Sequence, residues 1–479
     1  MGSYKKIISL AILVFLLFSP PILAADECTN EQFYYILVDR FVNGNNENDD
    51  EIDINDPQAF HGGDISGITD KLDKLDELGM SAINLSPIMK TNTYHGFLLE
   101  DHQTIDERFG TVADLQNLVK EAHDKNMKVV LDFVLTHVSP EHPWSTENSD
   151  WIEGEVSNHW GTNLPKLDTD NPEVQKYIIE TAIHWMNIAD IDGFHFYVDE
   201  ATSSTFLEQL ESRILQENKD AIIMMDGIST SCSINHDFQQ KTVDTLKQAG
   251  ESIYPILEEI ASEQNGYIYF LDSPTTNRFA FEANREGYHP VTRWKLATTF
   301  MYTLPGSPMI YQGTEVPMDN GEPDPDHRVA EINKGDEELT EHLDKLRNIV
   351  SISDAIQHGK LEIVGQEGEM VVYKRSSEEE TMYIAINNSV ETKMLSIDNI
   401  PEDKQLRGLL EDDIIRQQKD GTHKIILDRE SSNIFILENN TGINWLFFLP
   451  MAFVLIGFVW FIVKLERHNK RAQQQQNQR

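Results

Sequence analysis

Two hydrophobic periods alternate along most of the chain. Alternating or continuous apolar runs predict strands over Phe33–Asp39, Ser81–Leu85, Met127–Phe133, Ile191–Asp199, Ala221–Met225, Tyr267–Leu271 and Pro308–Tyr311. Between them, apolar positions spaced three and four apart predict amphipathic helices over Thr69–Leu78, Thr111–Lys125, Pro172–Ala189 and Thr205–Gln216. Strands separated by single helices make a parallel sheet, and about eight such units in this length suit a (β/α)8 TIM barrel. The texture changes around residue 355. Leu361–Val364, Met370–Tyr373, Met382–Ile386 and Lys424–Leu427 read as short strands joined by polar turns, a small antiparallel β domain.

The two ends carry a different pattern. Lys5 and Lys6 precede an apolar run from Ile7 to Leu17 and small residues at Ala24 and Ala25, as in a secretory signal peptide. Trp445–Val463 is almost wholly apolar and is followed by Lys464, Arg467, Lys470 and Arg471, the pattern of a transmembrane helix with a cytoplasmic tail. The expected organisation is therefore a signal peptide over 1–25, a barrel over 26–354 with a short inserted region near 138–165, and a β domain over 355–440. A transmembrane helix over 443–464 and a basic, Gln-rich tail over 465–479 complete it, placing the exported barrel outside the cell membrane. A net charge of -41 over 479 residues argues against nucleic acid as a partner. Only Cys28 and Cys232 could form a disulfide, and the sequence leaves their state open.

Within the strand around Phe194, the side chains of His195, Tyr197 and Asp199 point to one face. Such a trio is either a satisfied polar network in the core or a site. The frame Gly193-Phe194-His195-Phe196-Tyr197 resembles the fourth barrel strand of the α-amylase family, glycoside hydrolase family 13. Further motifs occur in that family's order: Asp39-Arg40-Phe41, His61-Gly62-Gly63-Asp64, Tyr94-His95-Gly96-Phe97, Arg108-Phe109-Gly110-Thr111 and Asp132 through His137. Phe270-Leu271-Asp272, Arg278-Phe279 and Tyr311-Gln312-Gly313-Thr314-Glu315 continue it, so the resemblance runs from Phe33 to about Leu437.

What the resemblance implies is a retaining α-1,4-glucan hydrolase with its groups at the C-terminal ends of the strands, but several of those groups are replaced. Tyr197 stands at the nucleophile's place and is read as either a phenolic nucleophile or a ring filling a vacated pocket. Asp199, two residues on, is the candidate substitute. Asp226 stands where the family has its acid/base Glu, and Ser273-Pro274-Thr275 replaces Asn-His-Asp, so that Thr275 takes the third carboxylate's position. His195 replaces the Arg beside the nucleophile, and Thr136 replaces a usual calcium ligand. His95, His137 and the aromatic platform Phe97 keep the places of substrate-binding residues, with His195 beside them.

By the same resemblance, Asn43, Asn45, Asn48, Asp49, Asp64 and the Gly62 carbonyl would hold one structural Ca2+, since hard cations take oxygen ligands. The alternative is a solvated acidic turn. The expected function is a cell-surface, membrane-tethered protein of α-glucan or maltooligosaccharide metabolism whose hydrolytic activity is weak or absent. The alternative is a non-catalytic pseudoenzyme that binds α-glucan or another protein.

Overall fold

The computed structural model describes residues 30–146, 150–226, 232–263, 267–319, 327–440 and 445–476. The expected signal peptide and Cys28 lie outside them. Seven parallel strands form one sheet, Phe33–Ile36, Ala82–Leu85, Lys128–Val134, Gly193–Tyr197, Ile222–Asp226, Tyr267–Tyr269 and Gly306–Tyr311. Its open edges are joined through Ser233 and Ile234, which make parallel bridges to Met225 on one side and Ile268 on the other. A minimal eighth position thus closes a (β/α)8-like barrel.

Local sequence explains why these elements start and stop where they do. Thr111 and Asp114 form a reciprocal capping box at the head of Val112–His123. Asn171 caps Pro172–Ala189, whose first residue is the proline that suits this position, and Asp190 ends the helix in a left-handed turn. That helix buries Val174, Ile178, Ala182, Trp185, Met186 and Ala189 on one stripe against the sheet. Gly193 has a packing reason: a Cβ there would lie 1.9 Å from the Ile222 carbonyl oxygen of the next strand. The first strand ends at Ile36, earlier than its hydrophobicity predicts. Asp39 turns inward to accept the His61 and Gly62 N–H groups, while buried Arg40 donates to the Pro57 and Ala59 carbonyls.

Beyond the barrel, six antiparallel strands between Lys360 and Asn439 form one sheet, and Lys393–Ile397 pairs with His423–Leu427 as a second. Met370, Val372, Ile397, Leu406, Ile425 and Phe435 fill the space between them. Arg293 of the barrel is fully buried and ties this domain on through Asn388 (2.6 Å) and Glu430 (2.9 Å).

Two expectations about the chain as a whole change here. The transmembrane helix expected at 443–464 is not supported, because among the described residues no helix is long and apolar enough to cross a membrane. The helix Trp445–Gln476 exposes apolar side chains from Leu449 to Leu465 and then continues into the basic, Gln-rich stretch. Cys232, whose state the sequence left open, is disulfide-bonded.

Candidate functional site

The site is built around Asp132, which is fully buried at the centre of the sheet. Parallel register places Asp132 beside His195, and places Tyr197 between Val134 on one neighbouring strand and Asp226 on the other. A carboxylate only accepts, and Asp132 is fully engaged. Tyr35 donates at 2.5 Å and Tyr197 at 3.1 Å to one oxygen, while Asn84 donates at 2.6 Å and His195 Nδ1 at 2.8 Å to the other. His195 Nε2 is buried and without a hydrogen-bond partner.

This network settles the state of Tyr197. Burial, with the nearby negative charges of Asp132 and Asp226, raises its phenol well above the usual range, so it holds its proton and donates it to Asp132. Asp199 does not join it. Past the end of the strand its carboxylate accepts from Ala201 N–H (3.1 Å) and the Thr202 hydroxyl (3.0 Å) and lies 3.5 Å from Lys166 Nζ. Asp226 faces the cavity and contacts His236 Nε2 at 2.5 Å. The imidazole of His236 is lowered by burial and raised more by its bond and charge contact with Asp226, for a net upward shift.

The opposite wall is Ser273, Pro274 and Thr275. Their hydroxyls bond to one another, Ser273 to Thr275 at 3.1 Å. His327 clamps this loop: Nε2 donates to the Pro274 carbonyl at 2.6 Å, which leaves Nδ1 to accept from the Tyr94 hydroxyl at 2.5 Å.

Above these groups lie His95, Phe97 and Trp160. Trp160 sits at the tip of a hairpin, Ile152–Asn158 paired with Gly161–Leu167, that belongs to the short inserted region. Its ring stacks on Phe97 with centroids 4.2 Å apart and planes 9° apart, and on His95 at 4.4 Å and 27°. Burial lowers His95 to about 3 and both His137 and His327 to about 4, so all three are neutral at pH 7. The cavity that remains, between Tyr35, Trp160, His195, Tyr197, Asp226, His236 and the Ser273–Thr275 wall, is about 30 Å³, room for about one water.

The oxygen-rich loop is only partly arranged around one point. Asn43 Nδ2 donates to Asp49 at 2.8 Å, Gly62 lies against both, and Asn48 Oδ1 is buried without a partner. Asp64 is instead the N-cap of Ile65–Thr69, accepting from Gly44, Asn45 and Gly67 N–H, and Asn45 Oδ1 accepts from Glu47. Asn48 Nδ2 donates to the Arg108 carbonyl at 2.8 Å, and Asn45 and Asp64 are committed to the backbone. Among the described residues no group of three or more His, Cys, Asp or Glu is placed to hold a metal.

Sequence reasoning named Tyr197, Asp226, His195, His95, His137 and Phe97, and the structure gathers these in one region. It missed Tyr35, His236 and His327, which no motif marks. It also missed Trp160, whose only signal is a lone large aromatic at a polar hairpin tip.

The α-amylase catalytic domain profile matches residues 35–160, and the α-amylase C-terminal domain profile matches 359–435. The crystal structure of an Anoxybacillus α-amylase superposes with a TM-score of 0.80 at 34% identity, covering 86% of this chain and 99% of that one. An α-amylase from Geobacillus thermoleovorans, solved with acarbose, gives a TM-score of 0.78 at 32% identity over 86% and 99% of the two chains. A cyclomaltodextrinase of Thermoanaerobacter pseudethanolicus is 28% identical over 427 residues, 78% of this chain and 73% of that one.

Proposed function

The chain belongs to the α-amylase family, and from that premise we propose that it engages α-glucans of the maltooligosaccharide class without the family's retaining hydrolysis. One observation carries this reading: among the described residues lining the cavity, Asp226 is the single carboxylate, and the group opposite it is Tyr197. A retaining glycosidase needs two carboxyl groups about 5–5.5 Å apart, one to attack the anomeric carbon and one to protonate the leaving oxygen. Asp226, set against His236, can give or take a proton. Tyr197 cannot supply the attacking charge, because its proton is held by burial and by the Asp132 carboxylate behind it. Asp199 is committed to Thr202 and the Lys166 side. Binding by sugar hydroxyls to histidine nitrogens and by stacking on Phe97 keeps its chemical basis.

Reducing-sugar release from soluble starch and maltoheptaose is expected to stay at background for the full chain, and equally so for Asp226→Asn. Release that falls in the Asp226→Asn variant would overturn the reading.

We also propose one structural calcium ion, which Asn43, Asn48, Asp49 and the Gly62 carbonyl would hold. Excess EGTA is then expected to lower the thermal midpoint by about 5 °C, as loss of a ligand specific to the folded state does. An unchanged midpoint would remove the ion from the account.

A further inference from the structure

We propose that the hairpin tip is a displaceable plug: Trp160 holds the place of a pyranose ring, and the end of an α-glucan enters by taking over its stack on Phe97. The inference rests on the α-glucan reading above for its ligand class, and on four observations for its geometry.

The first is the shape of the contact. A planar ring lies 4.2 Å from Phe97 and tilted from it by only 9°, with His95 on the same stack and His327 in a near-parallel plane at 5.9 Å and 21°. This is an offset stack of the kind aromatic pairs form, and it covers the face of Phe97 on which a sugar ring would have to lie. The second is volume. The cavity left beneath Trp160 is about 30 Å³, far below the roughly 300 Å³ at which ligand pockets begin, so sugar and indole cannot share the site.

The third is unmet hydrogen-bonding capacity. His195 Nε2 and His137 Nε2 are both buried without partners, and His137 lies directly under the hairpin tip, 3.4 Å from Asn158. An apolar core tolerates few such atoms, and a ligand rich in hydroxyl groups would satisfy both. The fourth is how the hairpin is attached. Its base is fixed by backbone bonds from Val138 to Pro165 and from Leu167 to Thr136, and by the buried side chains of Leu164 and Leu167. Its outer half is mostly exposed, two bulges interrupt the pairing, and Gly154 takes a positive φ of 128° in open space. Swinging the tip outward therefore costs the ring contacts and the long Asn158 bond while the base stays in place.

Titration calorimetry of the full chain with maltoheptaose tests this. Where only a fraction of molecules is open, apparent affinity falls by that fraction, so Trp160→Ala is expected to bind at least ~10-fold more tightly than wild type. Equal or weaker binding by a folded Trp160→Ala variant overturns the plug. Should that variant not fold, Trp160→Leu, which keeps apolar bulk but no planar ring, is read by the same criterion. Sugar release is followed alongside. Tighter binding without release leaves both readings standing. Release by the Trp160→Ala variant that is lost on adding Asp226→Asn keeps the plug and overturns the non-hydrolytic reading.

Discussion

Replacing Asp132 with alanine is expected to destabilise the barrel by about 3–5 kcal/mol, the range for removing one member of a buried charged network. Four donors converge on this carboxylate, Tyr35, Tyr197, Asn84 and His195, and all but the half-buried Tyr197 are buried. The loss arises from the groups left behind, each costing on the order of 1–3 kcal/mol if it stays unpaired, offset where the cavity relaxes or hydrates. Asp132→Asn separates charge from geometry. Its oxygen still accepts from Asn84 and His195, and its NH2 can donate to the two tyrosine hydroxyls, which rotate to accept. That variant should lose only about 1–2 kcal/mol. Urea unfolding at constant m-value distinguishes the pair. An alanine variant as stable as wild type would show that Asp132 is not the hub of the sheet's polar core.

The barrel was legible because its signals are local. Alternating apolar residues around Phe194 predicted a strand, and Pro172–Ala189 was read to the residue from its apolar spacing. The candidate site positions were named for the same reason, since each sits in a short motif. What the sequence could not give was which groups meet. The same-face rule grouped His195, Tyr197 and Asp199, but the strand ends at Tyr197 and the chain turns, so Asp199 leaves for Thr202 and Lys166. Asp132 was read as part of a motif, yet its four donors come from three other strands, a convergence that exists only once the barrel closes. Trp160 reaches Phe97 across 63 residues by way of a hairpin whose pairing is irregular. Apolar length also misled at the C-terminus, where hydropathy along the sequence predicted a spanning helix that the described residues do not support.

On the non-hydrolytic reading proposed above, placing a carboxylate at position 197 is expected to cost stability and to yield no hydrolysis. Tyr197→Asp would put a second negative charge beside Asp132 and opposite Asp226, while removing a ring that stacks against His195 at 4.4 Å and edge-on to Phe97 at 5.0 Å. Two like charges about 5 Å apart repel by roughly 3 kcal/mol at an effective dielectric of about 20, and the lost ring volume adds a cavity term. His195→Arg added to Tyr197→Asp supplies the missing cation and should recover most of the electrostatic part, which urea unfolding of the single and double variants would measure. Sugar release should remain at background in both, because groups that act as a unit do not return activity one at a time. Asp226 is still an aspartate beside His236, Ser273 and Thr275 still present only hydroxyls on the opposite wall, and Trp160 still covers Phe97. The informative variant is therefore the triple one, with Trp160→Ala added. Release appearing only there would assign the loss of catalysis to the nucleophile and the plug together and would make Thr275 dispensable. Background release from a triple variant that binds maltoheptaose would place the remaining deficit on Asp226 and the Ser273–Thr275 wall.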